Sequence, residues 1–338
     1  MTTQRTRSAG RPTLDEVAAL AGVGRGTVSR VVNGSPQVSP EARAAVQDAI
    51  KELGYVPNRA ARALVTQRTD SVALVVSESQ DRVFAQPYFA GLVRGISSAL
   101  ADTPLQLWLA MAQSPAEQQR VEHHLTSQHV DGVLLLSLHE SDQLPRLLRE
   151  RGLPAVLGGR PIGPGQEISY VDIDNVGGAR AAVEHLINSG RRRIATIAGL
   201  QDMGVGVDRL AGYQHAIGSA QPLVAFGDWG EASGTEAMRE LITKHPDIDG
   251  VFVASDLMAA GAMRALRELG RRVPQDVAVV GFEDSPIAGQ TDPPLTTVYQ
   301  PVEQMGREMV RLLLARIKGE DEGGHVLLDT HLVKRQSG

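Results

Sequence analysis

Between Thr13 and Asn33 the chain reads TLDEVAALAGVGRGTVSRVVN, two short amphipathic segments divided by a glycine-bearing turn. Thr13 and Glu16 have the spacing of a capping box, in which each side chain satisfies an orphan amide at a helix start. A first helix begins there, with Val17, Ala18, Leu20 and Ala21 as its expected buried stripe. Gly22-Val23-Gly24 breaks the period. Val28, Val31 and Val32 then form the apolar face of a second helix, leaving Arg25, Thr27, Ser29, Arg30 and Asn33 outward together. Such a helix fits a DNA major groove, where an arginine at its leading end pairs bidentately with guanine and discriminates by roughly 1–3 kcal/mol. The plain alternative is a helical hairpin with a solvated polar face. Ser39 before Pro40 marks a third helix start, and Ala42, Ala45, Val46, Ala49, Ile50 and Leu53 repeat at helical spacing up to Gly54.

The next run, YVPNRAARAL from Tyr55 to Leu64, is a hinge candidate, because Pro57 separates it from the three-helix head. A helix this short is marginal in water and needs a surface to fold on. Ala60, Ala61 and Ala63 would let two copies cross closely, with Leu64 beside Arg59 and Arg62 suited to wedge between base steps in a minor groove. A flexible linker with Leu64 packed on the next domain is the alternative. The net charge of −5 hides a division: residues 1–69 carry ten Lys and Arg against five Asp and Glu, so the rest carries −10. A basic head on an acidic body concentrates phosphate attraction at one end and makes binding salt-dependent.

From Ser71 onward short buried strands alternate with amphipathic helices, the pattern of parallel sheets covered on both faces. Polar groups gather at the expected strand ends, among them Arg209, Ser255-Asp256, Glu283-Asp284 and Asp228-Trp229. Ligands of open α/β sheets bind there, and a sugar needs such charged and amide groups together with an aromatic plane. Asp256 reads equally as a helix N-cap. The chain has no cysteine, which excludes disulfides and thiolate metal sites. No apolar run approaches a membrane span, and Met1 to Arg7 lacks the apolar core of a signal peptide, so a cytoplasmic, nucleoid-associated protein with no membrane partner is expected. No P-loop, Gly-x-Ser-x-Gly or His-Glu-x-x-His motif is present, and His123, His124 and His129 have no matching carboxylate pattern. Neither catalysis, nor a metal, nor a cofactor is expected.

The segment TLDEVAALAGVGRGTVSRVVNGSPQVSPEARAAVQDAIKELGYVPNRAARAL resembles the headpiece and hinge of the LacI/GalR family of bacterial transcription repressors, and the likeness continues to the C-terminal residues. The resemblance implies an all-α helix-turn-helix headpiece over residues 1–57, a hinge helix and linker over 58–69, and an α/β two-lobed periplasmic-binding-protein-like body over 70–338. It divides that body into an N-lobe of about 70–160 and 290–322 and a C-lobe of about 161–289 and 323–338. By the same resemblance Arg25, Gly26 and Arg30 read bases, Thr27, Ser29, Asn33 and Tyr55 hold phosphates, Thr13 belongs to the DNA-binding set, and Asn58, Arg59, Ala61 and Leu64 enter the minor groove. Gly26 departs from the family, which more often has a side chain there.

In the body, the resemblance assigns effector contacts to Arg160, Arg209, Ser255, Asp256, Glu283 and Gln300, a stacking plane to Trp229, and a ligand-facing loop to Phe84, Tyr88 and Phe89. Glu283 stands where the family usually has Asp, and Gly158-Gly159-Arg160 lacks the usual acid before the arginine. Both suggest a roomier cleft suited to a di- or oligosaccharide. The run from the headpiece through Phe89 is similar to actinobacterial regulators of cello-oligosaccharide use. The implied partners are a palindromic double-stranded operator, a small sugar effector and a second copy of the chain. A purine- or phosphosugar-responsive regulator, or a cytoplasmic sugar-binding protein without regulatory role, remains open at this point.

Overall fold

The computed structural model describes residues 12–56, 68–127, 129–163, 167–320 and 324–338. The chain divides into two compact units, residues 1–69 and 70–338. Helix α1 (Leu14–Ala21) opens on the Thr13–Glu16 capping box and ends at Gly22, whose φ of 65° is the left-handed value glycine tolerates best. Helices α2 (Arg25–Val32) and α3 (Pro40–Leu53) complete the first unit, α3 being capped by the Ser39 hydroxyl. Val17, Ala18, Val28, Val31, Val46, Ala49 and Tyr55 form its core. Leu20, expected in the buried stripe, is instead exposed. Leu14, Val17, Ala18 and Ala21 pack inward with the helical spacing i, i+3, i+4, i+7, and Leu20 falls outside that arc.

The second unit contains two parallel sheets. The first has strand order β11-β5-β4-β3-β1-β2, with β1 (Ser71–Val76), β2 (Gln106–Met111), β3 (Gly132–Leu136), β4 (Ala155–Gly158), β5 (Ser169–Ile173) and β11 (His325–Leu328). The second runs β7-β6-β8-β9, with β6 (Ile194–Ala198), β7 (Val224–Phe226), β8 (Gly250–Val253) and β9 (Ala278–Val280). Every pairing within these two sheets is parallel, so successive strands are joined by crossovers, helical except between β4 and β5, where no helix is found among the described residues. The crossovers include α4 (Gln80–Ala85), α5 (Pro87–Leu100), α6 (Pro115–Thr126), α7 (Leu144–Glu150), α8 (Asn175–Asn188), α9 (Gly204–Ile217), α10 (Glu231–Lys244) and α11 (Asp256–Glu268).

Sheet membership places the lobe crossings later than the expected 160–161 and 322–323. Both β5 and β11 pair within the first sheet, so the chain changes lobe after Ile173 and again after Leu328. The middle crossing is β10 (Thr297–Tyr299), which leads to α12 (Val302–Lys318) on the first sheet. Strand β10 pairs antiparallel with β12 (His331–Val333), so two of the three connections form one ribbon. Helix α12 lies so close to α5 that a Cβ at Gly95 would strike the Glu303 carbonyl, which is why a glycine stands mid-helix there. Among the described residues, no helix is long and apolar enough to cross a membrane.

Candidate functional site

In the first unit, α2 begins at Arg25, whose side chain is two-thirds exposed and lies 3.7 Å from Asp15. Arg30 and Asn33 are exposed, while Thr27 and Ser29 are half-buried. Asn33 ends the helix and donates its side-chain amide to Ser29 Oγ at 3.4 Å. A Cβ at Gly26 would meet nothing within 4 Å, so the headpiece's own packing does not demand glycine there. Two expected surface residues have internal roles. Thr13 caps α1 through Glu16, and the Tyr55 ring is a core residue at 8% exposure. Asn58, Arg59, Ala61 and Leu64 lie outside the described residues.

The second unit has a partly open cavity at the carboxyl ends of its strands, where ligands of open α/β sheets bind. Tyr88, Phe89, Arg160, Arg209, Trp229, Glu283 and Gln300 all line it. Tyr88 and Phe89 do so from the first turn of α5 rather than from a loop, in an edge-on pair with ring centroids 5.2 Å apart. Phe84, on α4, is 74% exposed and does not line the cavity. Nor do Ser255 and Asp256. Ser255 caps α11 by accepting the Met258 amide at 3.2 Å, and Asp256 accepts the Ser285 amide at 2.7 Å and the Thr297 hydroxyl. Asp256 is wholly buried, and that burial pushes its carboxyl up to about 7.

Arg209 is the centre of the cavity wall. It sits in the second turn of α9, which begins at Gly204. Its Nε donates to Asn175 Oδ1 at 2.9 Å, Nη1 to the Ala254 carbonyl at 2.6 Å and Nη2 to Gln300 Oε1 at 3.2 Å. The guanidinium carbon stands 3.7 Å from the Phe282 ring centroid and 5.8 Å from that of Trp229. Three of its five N–H groups are thereby used, leaving two for other acceptors. Glu283 Oε1 lies 3.8 Å from Nη1.

Burial pushes the Glu283 carboxyl up to about 8, against the opposing pull of Arg209. The same effect raises Asp172, in β5, to about 6. Asp172 accepts the Asn175 side-chain amide at 3.0 Å and so orients the partner of Arg209. Trp229 has φ of 74° and is 7% exposed. Its indole Nε1 is buried with no hydrogen-bond partner.

Sequence reasoning missed Glu78, Asp172, Asn175, Met203, Leu257 and Met305, which also line the cavity. A usable signal existed for Glu78 and Asn175, each one or two residues beyond a strand, where side chains reach an α/β cleft. Met203, Leu257 and Met305 carry no such mark.

Residues 13–58 match the model for bacterial regulatory proteins of the lacI family, and residues 183–338 match that for a periplasmic binding protein-like domain. The chain is 59% identical over 335 residues to the HTH-type transcriptional regulator CelR of Thermobifida fusca, covering 97% of this chain and 98% of that protein. It is 34% identical to the HTH-type transcriptional repressor PurR of Pectobacterium carotovorum over 96% of both chains. Among solved structures, the transcriptional regulator CelR–cellobiose complex matches with TM-score 0.78 at 57% identity over 97% of this chain and 100% of that one. The lac repressor dimer bound to operator and the anti-inducer ONPF matches with TM-score 0.85 at 30% identity over 97% and 99%.

Proposed function

The chain belongs to the lacI family of bacterial regulatory proteins, and we propose that it is an operator-binding repressor whose DNA affinity is set by a neutral di- or oligosaccharide held in the body cavity. The observation that carries the ligand half is the convergence of Arg209, Glu283, Gln300 and the Trp229 ring on the lining of one cavity. Those are hydrogen-bonding groups for hydroxyls beside an aromatic plane. The solved CelR–cellobiose complex supports cellobiose as the first ligand to try.

A phosphosugar is disfavoured by charge. Arg160 is already paired with Asp208, while Glu78 and Asp172 add acidic groups to the wall. The exposed Arg25 and Arg30 on α2 favour a regulator over a mere sugar carrier. Two chains bind an inverted repeat through two headpieces, with Arg25, Gly26 and Arg30 at base edges and Thr27, Ser29 and Asn33 at phosphates. Asn58, Arg59, Ala61 and Leu64 belong to the minor-groove contact. Such a role places the protein on the nucleoid. Coupling is reciprocal: operator weakens the sugar by the factor by which the sugar weakens operator.

The test is operator binding by the full-length protein at fixed salt, with and without cellobiose. Release of a specific inverted repeat by cellobiose is expected, and Arg209→Ala should abolish release while keeping operator affinity. Equal affinity for random duplex, with or without sugar, would remove the proposal.

A further inference from the structure

Glu78 stands two residues past β1, with its side chain 7% exposed and lining the cavity. Ser79 caps α4 by accepting the Arg82 amide at 3.3 Å, and that short helix turns Arg82 back onto the carboxylate. Arg82 Nη1 contacts both Glu78 oxygens, at 2.9 and 3.0 Å. The contact comes from α4, while the carboxylate itself lines the cavity. A carboxylate has about four acceptor directions, and one nitrogen leaves some of them unfilled.

On the saccharide reading above, we infer that Glu78 is a specificity-determining residue: pinned by Arg82, it accepts hydrogen bonds from neighbouring hydroxyls of an uncharged sugar and turns away sugars bearing an anionic group. The other charged wall groups sharpen that selection. Arg160 is held on two sides by Asp208, at 2.9 and 2.7 Å, and Arg209 is enclosed by Asn175, the Ala254 carbonyl, Gln300 and Glu283. An anion entering the cavity therefore meets Glu78 with Arg160 already committed to Asp208. A hydroxyl pair meets an acceptor fixed in place before binding, so little rotamer freedom is lost on forming the contact.

The test uses full-length protein and two probes of one skeleton, cellobiose and its aldonate cellobionate, with affinities read by calorimetry. Wild-type protein should prefer cellobiose by about tenfold or more, the scale of a charge-assisted hydrogen bond. Glu78→Gln should lose about tenfold in cellobiose affinity and narrow that preference. Arg82→Gln, which leaves the carboxylate without its cation, should widen it. A packing defect would move both variants the same way, so opposite shifts carry the proposal even where one variant is less stable. Wild-type binding of cellobiose with the preference unchanged in both variants would overturn the Glu78 role alone. A wild-type protein that binds neither probe would overturn the saccharide reading and this role together.

Discussion

Arg160 grips Asp208 through two near-parallel hydrogen bonds of 2.9 and 2.7 Å, tying the segment after β4 to α9 of the other lobe. Bidentate pairs of this geometry fix orientation as well as supply energy. Asp208→Asn keeps the shape and removes one oxygen acceptor and the charge. Because Arg160 is more than a third exposed, the loss should be small, about 1 kcal/mol or less in thermal unfolding of the free protein. A larger fall in cellobiose affinity than in stability would mark the pair as holding the lobes in the ligand-binding arrangement; equal falls would reduce it to an ordinary surface tie.

Trp229→Phe separates the aromatic plane from the indole N–H. The buried Nε1 has no partner in the free protein, so stability should stay level or rise slightly. Sugar affinity should drop by about tenfold, the equivalent of one hydrogen bond of ~1.4 kcal/mol. If affinity is retained, the N–H does not meet the sugar, and stacking alone explains the residue.

Burial raises the Glu283 carboxyl to about 8, above its ordinary value of 4.5, so between those values the folded protein holds a proton that the unfolded chain has lost. Stability from this group is therefore full at low pH and lost as pH rises through 8, with a slope of at most about 1.4 kcal/mol per unit. Asp172 at about 6 and Asp256 at about 7 act in the same direction at lower pH. Above pH 7 the remaining slope belongs to Glu283. Thermal unfolding from pH 7 to 8.5 should fall in the wild type and flatten in Glu283→Gln; identical slopes would refute the assignment.

Gly26→Ala puts a methyl group where the headpiece has open space, at a helical position with no positive φ. Helix propensity alone should stabilise the headpiece by up to ~1 kcal/mol. Specific operator affinity should fall nonetheless if α2 approaches the groove closely at this residue. A variant that is both more stable and equally tight on operator would show that the glycine is dispensable.

The headpiece was legible because caps and turns are written in single residues: Thr13 with Glu16, Gly22, and Ser39 with Pro40 all stand where the sequence placed them. The central strands β1, β3, β6 and β8 announced themselves as predominantly apolar runs. Strands β5 and β11 did not, because Ser169, Asp172 and His325 interrupt their pattern, and the lobe boundary was misplaced with them. The start of α9 was hidden for another reason. Glycine is a poor helix former, yet Cβ atoms at Gly204 and Gly206 would strike the Arg160 and Leu200 carbonyls, so these glycines serve close approach inside the helix. In the cavity lining, Glu283 stands just past β9 as a strand-end charge should, whereas Arg209, expected at a strand end, stands in the second turn of α9. Ser255 and Asp256 had the same signature but spend their oxygens on α11 and the following turn. Only coordinates distinguish an acid such as Asp256, which ties Ser285 to Thr297, from one such as Glu283, which lines the cavity.

The ribbon of β10 and β12 limits how the lobes can move. Hydrogen bonds between Thr297–Tyr299 and His331–Val333 prevent one strand from sliding along the other without breaking the whole ladder, while a twist about their common axis strains each bond only slightly. Asp256 on Thr297 and Arg335 on Asp284 clamp the ribbon to the second lobe. Whatever opens or shuts the molecule is thus steered into swivelling, and a torque rather than a push is what the first lobe can pass on.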